Sequence, residues 1–433
     1  MSPALASGWD SGERIMTVWR GVAALAALAA ALGLAATEAG AKTERTAYVN
    51  GRIWTGDRFT PGALVVEDHR FVDAPAETAS VQIDLAGGFV TPPLCDAHSH
   101  EIQSDWMLEE TLAQFRDQGV AYMKILSSVP EYTHGIDDRL NAADGVEASF
   151  AGPPITGPGG HPLGLQLRFL EYGAYPDKSA EDLAGFSYIP LNTVEDLDAA
   201  WPDLLDRGVD FIKIMILDAA RHAERMGVPD WLGRTGLAPD LVAAVVSRAH
   251  ADGLTVSAHV NTIEDLRLAV AAGVDEIAHL PGRMAPQRVT RADARAMAEA
   301  GTRLVTTAAL ADRLAERAPA LYAQVRQAQT ESLANLKAEG VRLALGTDGH
   351  VSVIDEVLYL HALGVFTSAE LIDMATSACA KAVFPDRKIG QLHPGYEAAF
   401  VLFEADPLVD LANAKKVTRR VKPPRSAAYD KPQ

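Results

Sequence analysis

The run Thr91-Pro-Pro-Leu-Cys-Asp-Ala-His-Ser-His100 is apolar, bounded by proline, and ends in two histidines one residue apart. On an extended strand alternate side chains point the same way, so His98 and His100 converge on one point. Paired neutral imidazoles are good ligands for Zn or a similar divalent ion, although a lone His-x-His is also a common surface pair. Four more reactive residues occupy comparable places. Lys213 lies in Asp210-Phe-Ile-Lys-Ile-Met215, where a lysine among apolar neighbours is costly to bury unless paired or neutralised. His259 closes Thr255-Val-Ser-Ala-His259, His279 closes Glu276-Ile-Ala-His279, and Asp348 closes Leu343-Ala-Leu-Gly-Thr-Asp348. Singly, each has an ordinary reading as a rim histidine, an ion-paired lysine or a helix N-cap aspartate. Their conjunction, each at the same end of its own apolar run, is what points to a metal site.

The elements that must position these residues follow a rhythm. At Gly119, Gly208, Gly253, Gly273, Gly301 and Gly340 a helical pattern ends in glycine and a β-rich run follows. The runs are 120–125, 209–215, 254–259, 274–279, 302–307 and 341–345. With an opening strand at 89–97 and another near Phe150–Ile155, the count reaches eight. Helix then buried strand, repeated over this length, predicts an α/β chain folded as a (β/α)8 TIM barrel. A doubly wound open sheet is the structural alternative, weakened by the lack of a G-x-G-x-x-G after the first strand. In a barrel the reactive residues of strands 1, 4, 5, 6 and 8 share one mouth. Two long insertions, Gly152–Leu191 and Ala219–Ala238, fall on that same face.

Short strands and turns at 45–90, and a β-rich stretch from Gly395 to Glu404, read as the two parts of a small β-sandwich flanking the barrel. The expected division is 1–41 signal peptide, 42–90 N-terminal part of the sandwich, 91–382 barrel, and 383–433 C-terminal part of the sandwich and tail. The tail from Lys422 carries three prolines and is expected to be loosely ordered.

Gly21 to Ala36 carries no charge, Arg20 precedes it, and Ala39-Gly40-Ala41 has the small-x-small pattern of a cleavage site. This predicts an exported protein, periplasmic or secreted, without a stable membrane anchor once the signal is removed. Met16 gives a more typical signal length as the start. The net charge of −18 argues against nucleic acid and anionic membrane surfaces as partners. Of the two cysteines, Cys95 reads as a small buried hydrophobe in the opening strand. An exported protein can also pair it with Cys379.

As a set these motifs resemble the amidohydrolase superfamily in its dinuclear, carboxylated-lysine form. The resemblance rests on Asp96-Ala-His98-Ser-His100, Phe211-Ile-Lys213-Ile, Ala258-His259, Ala278-His279 and Gly346-Thr-Asp348, and on the flanking Asn50-Gly51 and Val401-Leu-Phe-Glu-Ala-Asp-Pro407. It extends over about residues 45–415 and is strongest toward imidazolonepropionase-related enzymes and Xaa-Pro or Xaa-Arg dipeptidases. The resemblance implies two divalent metal ions, Zn first, with Mn, Fe or Co as alternatives. His98 and His100 would bind the more buried ion, and His259 and His279 the other. Lys213, as a CO2-derived carbamate, would bridge the two. Asp348 would contact the first ion and shuttle the proton, and His161 in Gly157-Pro-Gly-Gly-His161 would approach substrate as a second catalytic residue. The implied reaction is hydrolysis of an amide, peptide or cyclic amide bond in a small molecule or short peptide. Deamination, lactone hydrolysis and a non-catalytic metal-binding barrel are the alternatives, and a homo-oligomer is compatible with all of them.

The chain departs from its relatives in three places, one of them the extra proline in Gly157-Pro-Gly-Gly-His161. Val260 and Asn261 follow His259, where dipeptidase relatives often carry an aromatic residue or His. Lys124 stands in Tyr122-Met-Lys124-Ile, where relatives commonly carry Arg, and reads equally as a cation near the site or a structural residue. His350, two residues past Asp348, can reach the mouth or sit in an exposed loop. Arg221, Arg225 and Arg234 are candidates for a substrate carboxylate clamp.

Overall fold

Proline and glycine divide the N-terminal 50 described residues into short strands: β1 (Thr46–Trp54), β2 (Phe59–Glu67), β3 (Arg70–Val72), β4 (Val81–Asp84) and β5 (Phe89–Thr91). The computed structural model describes residues 44–282, 285–349 and 352–425, so the signal segment 1–41 and His350 lie outside the described residues. Barrel strands follow: β6 (Leu94–Ser99), β7 (Val120–Ile125), β8 (Glu147–Phe150), β9 (Ile155–Thr156), β10 (Ile189–Pro190), β11 (Ile212–Ile216), β12 (Val256–Val260), β13 (Glu276–Ile277), β14 (Arg303–Val305) and β15 (Leu343–Ala344). Two strands, β16 (Phe400–Phe403) and β17 (Val417–Val421), return at the end.

The barrel strands pair parallel in two sheets, β6-β7-β8 and β10-β9-β11-β12-β13-β14-β15. Hydrogen bonds cross both seams. Asp210 N donates to Phe150 O at 2.9 Å; on the other side Ala97 N donates to Leu345 O at 2.9 Å and Asp348 N to His98 O at 2.7 Å. With β8 and β9 sharing the third position, and the two-residue β10 paired beside β9, the other strands run around the barrel in chain order, giving the expected (β/α)8 architecture. The six helix-ending glycines all have φ between 69° and 83°, the left-handed value a helix-terminating residue needs.

Two expected strands are corrected. The run 89–97 is not one strand, because Pro92 and Pro93 cannot donate to a ladder. Phe89–Thr91 pairs with β1 and β16, and only Leu94–Ser99 belongs to the barrel. Likewise the run near 150–155 is not one strand: Phe150 ends β8, Ile155 begins β9, and 151–154 between them turns, with Gly152 at φ 66° followed by Pro153 and Pro154.

The flanking sheet has the order β17-β16-β5-β1-β2-β3, with β4 against β1, so the C-terminal stretch completes the N-terminal module. Ile53, Leu64, Phe71, Leu85, Val90, Ala398 and Phe400 form its core. Of the tail expected to be loosely ordered, residues 426–433 lie outside the described residues, and at Lys422 the loosening is not found. Its side chain is buried and donates to Glu147 Oε1 at 3.0 Å, inside a cluster in which Arg387 also holds Glu147 and Glu397.

The reading of Cys95 as a lone buried hydrophobe is also corrected. It is fully buried, but as half of a disulfide with Cys379, which lies on the helix Ser377–Val383 packed against β6. No helix among the described residues is long and apolar enough to cross a membrane.

Candidate metal centre

The first strand delivers its ligands from a fully buried frame. Every residue of β6 is buried, and His98 is 1% exposed. Its Nδ1 lies 2.7 Å from Ala278 O, and a carbonyl only accepts, so the proton sits on Nδ1 and the Nε2 lone pair faces inward. His98 Nε2 is 3.3 Å from His100 Nε2, and Asp348 Oδ1 is 3.2 Å from both. These three residues form a group whose ligand atoms all lie within 4.8 Å of one another.

Asp348 reaches this point because its backbone is turned back toward β6. It has φ 59°, and its N–H and that of Thr347 both donate to His98 O, at 2.7 and 3.2 Å. Asp96, fully buried, accepts from His98 N (2.9 Å), Thr347 N (3.1 Å) and Thr347 Oγ1 (2.6 Å), and so ties the first strand to the end of the eighth. Gly346 allows this approach, since a Cβ there would stand 2.7 Å from His98 Cβ. Burial pushes Asp96 up to about 7.

The second pair comes from β12 and the end of β13. His279 Nε2 faces His259 Nδ1 at 2.9 Å. The far nitrogens are engaged: His259 Nε2 with Asn261 Oδ1 at 3.1 Å and His279 Nδ1 with Thr307 Oγ1 at 3.2 Å. With protons on those outer nitrogens, two lone pairs point at each other across 2.9 Å. A shared cation makes such an arrangement favourable. Ring centroids 4.4 Å apart join His98 to His279, and 5.0 Å join His259 to His161, so five imidazoles follow one another across the mouth.

Lys213 is 2% exposed and is the second of the five residues of β11, all of them buried; it pairs with Ser257, two residues before His259, so it does not close its strand as expected. Burial first, and the Lys213 charge further, depress His98 to about 4, against the pull of Asp348. His98 is therefore neutral near pH 7, as a metal ligand must be. Burial opposes ionisation of Asp348, but the neighbouring His98 and His100 outweigh it and hold the carboxyl well below its usual value. Neutral imidazoles and an ionised carboxylate are a nitrogen–oxygen donor set that suits Zn, Mn, Fe or Co.

His161 is carried by the loop after β9. That loop zips to the loop after β11 through His161 N to Thr235 O and Gly233 N to Gly159 O, both 2.7 Å. Trp106, Met107, Tyr172, Val228 and Leu232 are large exposed apolar residues, all in loops or short helices that follow β6, β9 and β11 on the face of the mouth.

Other candidates are placed elsewhere. Arg225 is buried, bonded to Asp218 and stacked 3.8 Å over Trp231, while Arg221 pairs with Glu224 at 2.9 Å. Neither is a ready carboxylate clamp; Arg234 is exposed. Lys124 is buried in the barrel, 2.8 Å from Glu276 Oε1 and 4.2 Å over the Phe211 ring, with Ser257 and Arg303 also on Glu276. These contacts are those of an ion pair in the barrel interior. The sequence motifs include Asp96 without giving it a role, mark Asn261 only as a departure, and do not single out Thr307 or Glu356. The partners of Thr307 and Glu356, and Thr347 as a partner of Asp96, are distant in sequence, so no local signal marks those contacts.

The family described as the Amidohydrolase family matches residues 190–423. The chain belongs to this family. It is accordingly a hydrolase acting on C–N bonds. An uncharacterized protein of Mycobacterium tuberculosis is 27% identical over 329 residues, 70% of this chain and 76% of that protein. The imidazolonepropionase of Brucella suis is 26% identical over 408 residues, 86% of this chain and 95% of that enzyme. Among solved structures, a Xaa-Pro dipeptidase with bound methionine aligns at TM-score 0.66 and 21% identity, over 88% of this chain and 98% of that one. The A. niger ochratoxinase aligns at TM-score 0.68 and 20% identity, over 88% and 94%. At these identities the structural likeness establishes the fold, a TIM-type barrel with a flanking β-sandwich.

Proposed function

We propose that this amidohydrolase is an exported enzyme that cleaves an amide, peptide or cyclic amide bond in a small molecule or short peptide, using two divalent cations. One observation carries the reading: His98 and His100, and His259 and His279, present facing ring nitrogens at 3.3 and 2.9 Å, with the Asp348 carboxylate 3.2 Å from the first pair. His98, His100 and Asp348 would hold one cation, and His259 and His279 the other. Lys213 would join both as a carbamate, which replaces a costly buried ammonium with an anionic ligand. Bound there, such ions acidify water and polarise a carbonyl.

The chain's own residues do the rest. Asp348, ionised at neutral pH, takes a proton at its carboxylate and returns it to the leaving nitrogen. His161, beside His259, donates to the substrate carbonyl oxygen. The zipped loops after β9 and β11 narrow the mouth, and the apolar rim suits a substrate with an apolar portion. Relatives named imidazolonepropionase and a neighbour named Xaa-Pro dipeptidase support a substrate of this size. The buried Cys95–Cys379 disulfide supports export, because oxidising compartments favour such bonds.

The test is metal analysis followed by a screen of dipeptides and N-acyl amino acids on the protein loaded with Zn, Mn, Fe or Co. Two ions per chain and release of a free amine are expected. A metal-replete protein that opens lactones or deaminates, but releases no amine from the library, overturns the amide reading. Lys213→Ala with two ions and full activity overturns the carbamate.

A further inference from the structure

Thr307 occupies a conformation that a β-branched residue rarely adopts, with φ 44° and ψ 35°. Something must hold it there. Glu356, fully buried on the helix Val353–Ala362, accepts from Thr306 Oγ1 at 2.6 Å, Ala308 N at 2.8 Å and Ala309 N at 2.7 Å. Its carboxylate thus grips the residue before Thr307 and the two after it. The turn so formed sets Thr307 Oγ1 3.2 Å from His279 Nδ1.

We propose that Glu356 and Thr307 are positioning residues that select the His279 tautomer. The turn clamped by Glu356 presents the Thr307 oxygen as acceptor for a proton on Nδ1. That leaves the Nε2 lone pair aimed at the point it shares with His259. The direction of the argument is from backbone to ring. The carboxylate fixes the loop, and the loop's hydroxyl meets the imidazole. A histidine whose outer nitrogen lacks a fixed partner divides between two tautomers, and only one of them can bind a cation at Nε2. The functional half of this inference rests on the metal reading proposed above; the tautomer itself does not.

The experiment therefore reads both. Nitrogen-15 shifts of His279 in the metal-free protein report the tautomer, and cobalt(II) titration reports affinity. Thr307→Val keeps the shape and removes the acceptor, Thr307→Ser keeps the hydroxyl, and Glu356→Gln sets an amide donor against the backbone donors. Wild type and Thr307→Ser are expected to show a single Nδ1-protonated His279. Thr307→Val and Glu356→Gln should show a mixture, with cobalt bound roughly 10- to 100-fold more weakly. The double variant should be no worse than either single one, as for residues acting through one contact. If Thr307→Val leaves both the tautomer and the cobalt affinity unchanged, the inference is wrong, whatever its thermal stability. Should Glu356→Gln fail to fold, the Val and Ser variants still decide the role of Thr307. Failure of wild type to bind cobalt would sink the metal reading, while the nitrogen shifts would still decide the tautomer.

Discussion

Cys95 and Cys379, 284 residues apart in sequence, are bonded to each other with both side chains fully buried. The bond fastens β6, three residues before His98, to the helix Ser377–Val383. Closing so large a loop restricts the unfolded chain strongly, and loss of a native disulfide typically costs about 2–5 kcal/mol. The Cys95→Ala/Cys379→Ala variant should therefore unfold at lower urea, and reductant should shift the wild type toward it. Coincident urea midpoints for oxidised wild type and variant would contradict this.

Asp348→Asn keeps the shape at the mouth but removes the proton acceptor. The expectation is a loss of roughly 10²- to 10⁴-fold in kcat. His161→Ala should lower kcat by less, because the role proposed for it is one hydrogen bond to the substrate carbonyl. Steady-state kinetics on whichever amide the screen identifies checks both, and equal losses would argue against separate roles.

Lys124 and Glu276 form a buried pair 2.8 Å apart. Removing one member leaves the other charge in a dry interior, which commonly costs about 3–5 kcal/mol. Arg303 and Ser257 still face Glu276 in a Lys124→Met variant, so the lower end of that range is expected. Urea unfolding measures it. A drop in metal content without a drop in stability would instead assign Lys124 to the site.

Glu356 gives a dependence on pH with a definite sign. Burial raises its pKa from 4.5 to about 7, against the hydrogen bonds from Thr306, Ala309 and Ala308. Between those values the folded chain keeps a proton that the unfolded chain has released. Stability from this group therefore falls as pH rises from 4.5 to about 7 and is level above that. A shift of this size corresponds to about 3 kcal/mol. Glu356→Gln cannot titrate, so the stability difference between wild type and variant should move in the variant's favour from pH 5 to pH 8. A difference that is constant across this range would show that Glu356 is not protonated in the folded protein.

Much of the architecture was legible because it is written in local chemistry. A helix that must stop needs a residue tolerant of positive φ, and a strand buried on both faces needs a run of apolar side chains; both leave marks within a few residues. Those marks located β7 and, to within two or three residues, the barrel strands that bear Lys213, His259, His279 and Asp348. At Pro92-Pro93 and Pro153-Pro154 prolines divide an apolar run whose hydrophobicity is that of one strand. Hydrophobicity does not report a missing N–H donor.

By itself, then, the sequence determined the alternation of helix ends and buried strands, since both are written in runs of a few residues. Only the tertiary structure decided how the reactive residues meet. His98 takes its tautomer from Ala278 O, Asp348 its turn from Asp96 through Thr347, His279 its partner from Thr307 and Glu356, and Cys95 its bond from Cys379. These contacts join residues tens to hundreds of positions apart. They exist because closing the barrel brings distant strand ends and loops into one small volume, where each buried polar atom must find a partner.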